Sequence, residues 1–318
     1  MDMLINSGVL ASTIRIATPL TLAAIGCLLC QRAGIVNLAL EGFMLVGAFA
    51  SITTVIFCGG NVWIGMIGGM VGGLLISILF GLSIIKFKAN QIISGIAINM
   101  LGVGVTSYLL RAIFDLQGSI RAKEIVKLNP IKIPMLEHIP VIGPALNSQS
   151  IVTYFAIVMI FVIYIILFKT EYGLNVRSIG ESEDAARTAG IKITKIKWSV
   201  VLISGILCGL AGAYISTTIV SEFSQNMIQG RGFNAFTAVV FGNAHPIAVW
   251  LVTLLFGYAD AVGIQIELLG TGIPPSIVKM FPFMLAIIAL TISSSALKFK
   301  KKSSILKTLF HKVKLTIK

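Results

Sequence analysis

Apolar runs of about 20 residues, separated by short polar breaks, recur along the chain, and each is long enough to cross a bilayer as a helix. The runs are continuous, not alternating, which predicts helices and not the strands of a barrel. Spans are placed at residues 9–30, about 35–58, 62–85, 91–114, 151–168, 198–220, 247–268 and 276–296. One further apolar run follows Arg231 and is only about 12 residues long, which is short for a crossing. It reads as a half-helix, tolerated where protein or a cavity surrounds it, with free N–H groups at its start turned towards a pathway. The expected fold is all-α: a polytopic membrane helical bundle of about eight or nine transmembrane segments over residues 1–296, followed by a basic tail, 297–318.

Composition agrees. Of 318 residues 56% are hydrophobic and 12% charged, where a soluble domain carries about twice that charged fraction. The formal charge of +13 does not indicate nucleic acid, whose binders gather charge on a soluble face. Here Lys and Arg lie in short loops and the tail, which is a topology signal. Lys86 and Lys88 mark one basic loop, residues 169–197 hold six basic residues, and the tail from Lys298 has eight lysines and no acid. These segments are expected in the cytoplasm, the tail against anionic lipid. Residues 115–150, with four basic and three acidic residues, are expected outside. The N-terminus is then outside, if the 12-residue run counts as a crossing. Residues 1–8 lack the positive region of a signal peptide.

No phosphate-binding loop occurs, the three histidines are scattered, and no nucleophile or metal-ligand cluster stands out. The chain is read as no enzyme, with no metal or cofactor of its own; any ATP is bound by a partner. Cys27 and Cys30 have redox-motif spacing but sit in an apolar run, where small packing residues are the simpler reading.

Several polar positions stand out inside the spans. Asn37 and Glu41, four apart, would share a helix face. A carboxylate so deep is costly unless paired, protonated or facing water, so it serves either function or a helix–helix hydrogen bond. Gly65, Gly68, Gly69, Gly72 and Gly73 read as a close-packing surface. Gln91, Ser94, Gly95 and Asn99, continued by Gly102 and Thr106, form a polar stripe suited either to a neutral hydrogen-bonding solute or to interhelical bonds. Between the spans, Gly180–Ile191 reads as a short surface helix of about 7 residues. Ser182 is its N-cap, Glu183 and Asp184 complement the dipole, and Gly190 follows its end. Ala185, Ala186 and Ala189 share a small flat face.

GLNVRSIGESEDAARTAGI at 173–191 resembles the cytoplasmic coupling loop of ABC importer permeases of the branched-chain amino acid, ribose and nucleoside type. So do AGIVNLALEGFMLVGA at 33–48, NQIISGIAINML at 90–101, GRGFNAFTAVVFGNAHP at 230–246 and FGYADA at 256–261. The nearest likeness is to the shorter of two permeases in nucleoside importers that use a basic-membrane-lipoprotein type binding protein. The resemblance implies two inverted repeats, a second permease subunit, a separate ATP-binding cassette ATPase, an extracellular lipid-anchored binding protein and the bacterial cytoplasmic membrane. It implies ATPase coupling through Gly180, Glu181, Ala185, Ala186, Ala189 and Gly190, and a solute path at Asn37, Glu41, Gln91, Ser94, Asn99, Phe233 and Asn234. Rival readings are a simple-sugar or branched-chain amino acid permease, or an ion-driven transporter with Glu41 and Asp260 carrying protons. Where many relatives carry an acidic residue and a serine this chain has Gln31-Arg32-Ala33, which leaves the partner of Arg32 open.

Overall fold

The structure is a computed structural model and describes residues 7–122, 147, 149–268, 277, 280 and 284. It contains α1 (Ser7–Arg32), α2 (Leu40–Phe57), α3 (Val62–Gly81), α4 (Gln91–Phe114), β1 (Ser119–Arg121), α5 (Ile151–Lys169), α6 (Glu171–Glu181), α7 (Glu183–Thr188), α8 (Ile193–Tyr214), β2 (Glu222–Ser224), α9 (Arg231–Phe241) and α10 (Pro246–Leu268). Wider π-helical turns, Leu82–Lys86 and Ile215–Ile219, extend α3 and α8. Two units are distinguished, residues 1–262 and 263–318. Of the second, beyond the end of α10, only Ile277, Met280 and Met284 are described; they are helical and exposed. The expected span at 276–296 otherwise lies outside the described residues, as does the tail.

Among the described residues, seven helices are long and apolar enough to cross a membrane: α1, α2, α3 with its π turn, α4, α5, α8 with its π turn, and α10. The half-helix is present as α9, with 11 residues. The segment that contains it nonetheless runs from one end of the bundle to the other. β2 pairs antiparallel with β1, just after the end of α4, a small ribbon absent from the all-α expectation. After α9, His245 packs its ring at 5.8 Å from Tyr164 and 5.5 Å from Phe168, near the end of α5. Residues 222–245 thus connect the Ser119 end to the Lys169 end through an extended piece and a half-helix.

The sixth span starts earlier than expected, at Ile193 instead of 198, because the basic first turn continues the helix out of the apolar layer. The glycine reading of α3 holds. α3 runs antiparallel to α8, and both meet α2 where glycines remove the side chains between backbones. A Cβ on Gly47 would stand 2.5 Å from Gly209 Cα, and one on Gly69 would stand 3.0 Å from Gly47 O. With lipid outside, no hydrophobic gain separates helix contact from lipid contact, so close backbone packing supplies the attraction. Hydroxyls stitch the remaining helices: Thr21 to Thr253 at 2.9 Å, Thr18 to Thr153 at 3.2 Å and Ser150 to Tyr214 at 3.3 Å.

Three cysteines, Cys27, Cys30 and Cys208, are buried, and Cys58 at the end of α2 is exposed. This supplies a topology test. With the Ser119 end outside, a membrane-impermeant maleimide on intact cells or spheroplasts is expected to label the wild-type chain at Cys58. A Cys58→Ser chain should be silent until Ala185→Cys is added and the membrane opened. Labelling of Ala185→Cys without opening the membrane would reverse the orientation.

Candidate functional site

The expected second span does not begin at residue 35. Residues 33–39 are non-helical between α1 and α2, so Asn37 and Glu41 do not share a helix face. Gly34 opens the break with φ +74, a left-handed conformation natural to glycine. Asn37 is fully buried and accepts from Ala39 N at 3.0 Å while donating to Ser204 Oγ at 3.1 Å. Non-helical backbone at membrane depth must find partners within the protein, and α4 supplies them. Val36 N donates to Gln91 Oε1 at 2.7 Å. Asn99 Nδ2 donates to Leu38 O and its Oδ1 accepts from Gly42 N, both at 2.8 Å. Ser94 is buried and shares a 2.7 Å bond with Ser83. Ser94 and Asn99 thus make bonds between helical segments, as one of the two readings of the α4 stripe anticipated, while Gln91 and Asn99 also serve the non-helical backbone at Val36 and Leu38.

Glu41, at the start of α2, reaches the start of α9. Its Oε1 accepts from Gly230 N at 2.7 Å and its Oε2 from Gly232 N at 2.9 Å. The expected free N–H groups of the half-helix are thus partly taken. The reason is that an uncapped start in an apolar layer is costly, and a carboxylate also complements the positive end of the dipole. Gly230 has φ +82, and a Cβ on Gly232 would stand 2.5 Å from Glu41 N, so glycine is required on both sides of the cap. At the other end of α9, Arg32 Nε donates to Ala244 O at 2.7 Å and its Nη2 to Asn243 O at 3.2 Å. This bears on the open question about Arg32: among the described residues its hydrogen-bond partners are carbonyls, and no acid lies within ion-pair distance. Asn243 and Ala244 both have φ +48, so the guanidinium also holds a strained turn. The two charged residues flanking the α1–α2 break therefore grip the half-helix by its two ends. Along α9, Phe233 is 62% exposed and Asn234 half-buried, next to the Glu41 cap.

The third element is the segment 171–191. Gly180 and Glu181 do not lie in a loop before a helix; they end α6, which Thr170 caps by accepting from Gly173 N. Tyr172 and Ser199 share a 2.6 Å bond that ties α6 to α8, and burial pushes the Tyr172 phenol above its ordinary range. The short helix α7 forms as expected. Ser182 Oγ accepts from Ala185 N at 3.3 Å. At its end Gly190 N donates to Arg187 O and Ile191 N to Ala186 O, with Gly190 at φ +78, the paired bonds of a Schellman stop. Lys197 bonds Glu183 at 2.6 Å and holds α7 on α8. One expectation is corrected. Ala186 is 2% exposed, buried in its own chain, because the helix needs an inward residue to sit on the bundle. Ala185, Ala189, Gly180, Glu181 and Gly190 are exposed.

This segment packs directly on the break. A Cβ on Gly34 would stand 3.4 Å from Gly180 Cα, and one on Gly180 would overlap the Arg32 carbonyl. Beside it opens a cavity of about 620 Å³ lined by Arg32, Arg177, Glu181, Ser182, Ala185 and Asn243 among others. None of Asn37, Glu41, Gln91, Ser94, Asn99, Phe233 and Asn234 lines this cavity.

Among known proteins, the guanosine ABC transporter permease protein NupQ of Bacillus subtilis is 38% identical over 295 residues, 90% of this chain and 92% of the relative. The nucleoside ABC transporter permease protein NupC of Lactococcus lactis is 36% identical over 293 residues, 89% and 91% of the two chains. The putative glucose ABC transporter permease protein TsgC13 of Haloferax volcanii is 32% identical over 270 residues, 85% and 81%. The family described as the branched-chain amino acid transport system permease component matches residues 9–290. A bundle of apolar helices with backbone breaks served from within, matched over nearly its whole length, is a multi-pass membrane permease: the chain belongs to the branched-chain amino acid transport system permease component family.

Proposed function

We propose that the chain is one permease subunit of an ATP-driven importer of nucleosides. The observation that carries this reading is the match to permeases named for guanosine and for nucleosides across nine-tenths of each chain. A second permease subunit completes the translocation path, an ATPase on the cytoplasmic side binds ATP, and an extracellular lipid-anchored binding protein delivers the solute. The exposed face of α9, with Phe233 and Asn234, borders the path. Asn37, Glu41, Gln91, Ser94 and Asn99 border it from behind, shaping the broken backbone on which α9 rests. Gly180, Glu181, Ala185, Ala189 and Gly190 form the ATPase contact, and Ala186 anchors α7 beneath it. The relative named for glucose supports a simple sugar as the second reading. Nucleosides join a sugar to a base, so a shared sugar subsite would serve both.

The test is uptake by the purified complex in proteoliposomes loaded with ATP, using labelled guanosine, uridine, glucose, ribose and leucine in parallel. Guanosine or uridine is expected to accumulate, and unlabelled nucleoside, but not ribose, to compete. Accumulation of glucose or leucine without nucleoside uptake would replace this reading. Transport by this chain alone, driven by an ion gradient without ATP, would move it to another class.

A further inference from the structure

The cavity at the Lys169 end holds a charge arrangement that the described residues do not complete. Arg177 and Arg32 approach the same ring, that of Phe168, with guanidinium carbons at 5.1 and 5.9 Å from its centroid. Arg32 donates through Nε to the carbonyl of Ala244 and through Nη2 to that of Asn243. Arg177 Nε is buried without a hydrogen-bond partner, and so is Gln31 Oε1, on the same cavity wall. Among the described residues no carboxylate lies within ion-pair distance of either arginine; the ion pairs found are those of Glu183 with Arg187 and Lys197. Glu181 lines the cavity as well, so one negative charge faces two positive ones. An arginine held on an aromatic ring with a buried donor unpaired is suited to an incoming planar acceptor, since its fork matches a carboxylate in bidentate fashion.

We propose that this cavity receives an acidic side chain of the ATPase subunit, whose carboxylate pairs with Arg177; this rests on the reading that α6 and α7 face the ATPase. The mouth favours a protein side chain over a lipid headgroup. The cavity lining includes the exposed residues Glu181, Ser182, Ala185 and Ala189, an acid with small or polar neighbours, together with the apolar Leu174 and Ile191. A phospholipid would have to bring its phosphate past the carboxylate of Glu181, which also lines the cavity. A side chain on a docking loop needs only to bring its carboxylate to the Arg177 guanidinium that lines the cavity.

The experiment titrates the ATPase onto the purified permease pair in nanodiscs of zwitterionic lipid at several salt concentrations. It compares wild type with Arg177→Gln, Arg177→Lys and Ala185→Trp. Arg177→Gln is expected to weaken binding about tenfold or more, because truncating one side of a desolvated charge pair strands the other. It should also flatten the salt dependence. Arg177→Lys should recover part of the loss, and Ala185→Trp should weaken binding through the rim in any case. Wild-type binding by Arg177→Gln with weakened Ala185→Trp would overturn the proposal and leave the docking surface standing. Wild-type binding by both would remove the docking surface and the proposal together. A defect of Arg177→Gln seen only with anionic lipid in the nanodisc would assign the cavity to a headgroup and overturn the proposal. Should Arg177→Gln not fold, the Arg177→Lys variant gives an independent reading by carbodiimide coupling. The reagent activates a carboxyl as an O-acylisourea, and the introduced amine displaces the urea to form an amide. A cross-link from position 177 to an ATPase Asp or Glu is expected, and its absence in an assembled complex would overturn the proposal.

Discussion

Glu41→Ala is expected to cost about 4 kcal/mol of stability and to abolish uptake. The loss strands two backbone N–H groups, of Gly230 and Gly232, at about 1–3 kcal/mol each. It also removes a negative charge from a helix start, worth about 0.3–2 kcal/mol. Against a total stability of about 5–15 kcal/mol, the variant should show a sharply lowered melting temperature on size-exclusion chromatography in detergent. Glu41→Gln should recover little. Its carbonyl can serve one N–H, but its amide turns a donor towards the other. If Glu41→Gln melts like wild type and loses only transport, the carboxylate acts on a solute or proton, and the cap is not its main duty. The predicted coupling of stability to uptake follows from the position of the cap. α9 is held by Glu41 at one end and Arg32 at the other, and the Arg32 carbonyl lies against Gly180 of α6. A push on α6 therefore meets, through Arg32, the Asn243–Ala244 turn that follows the half-helix.

The second large effect is expected at Gly212. An added Cβ there would overlap the Met44 carbonyl oxygen and come within 2.9 Å of Ala48 N. Both neighbours are α2 backbone, which cannot rotate aside as a side chain can. Gly212→Ala should cost at least about 3 kcal/mol, the upper range for overpacking a tight core, and the permease should be lost to aggregation on solubilisation. Gly104→Ala is the matched control. Nothing lies within 4 Å of a Cβ there, so helix propensity alone acts and the change should stabilise by up to about 1 kcal/mol. Equal melting temperatures for the two variants would show that α2 and α8 are not in close backbone contact.

The features legible without a structure are those set by near neighbours along the chain. Hydropathy reports transfer of a local segment into lipid, so the seven spans among the described residues were placed to within about five residues at each end. The stops of α7 were readable because Ser182 and Gly190 act on backbone groups within four residues. The α3 glycines announced close packing because no other reason for so many in one span is economical. The runs around Gly34 and Asn37 were harder. The break was placed before Ile35, and the apolar residues from Ile35 read as the start of the second span, whereas the backbone stays non-helical as far as Ala39.

What the tertiary structure alone decided are the pairings across the chain. Glu41 meets backbone groups 189 and 191 residues away, and Arg32 carbonyls 211 and 212 away. No spacing rule connects such positions, because the partner in each case is a peptide group, which every residue carries and no side chain advertises. The same holds for Gln91 and Asn99, whose stripe is equally compatible with a solute and with backbone until the break beside them is known. The inward turn of Ala186 was likewise undecidable, since three alanines on one face look alike until one of them is covered. The sequence by itself therefore determined the membrane bundle, its basic loops, the capped surface helix and the family likeness. The tertiary structure determined which polar side chains are already committed to backbone in a medium without water, and which cavity gathers two arginines and one carboxylate.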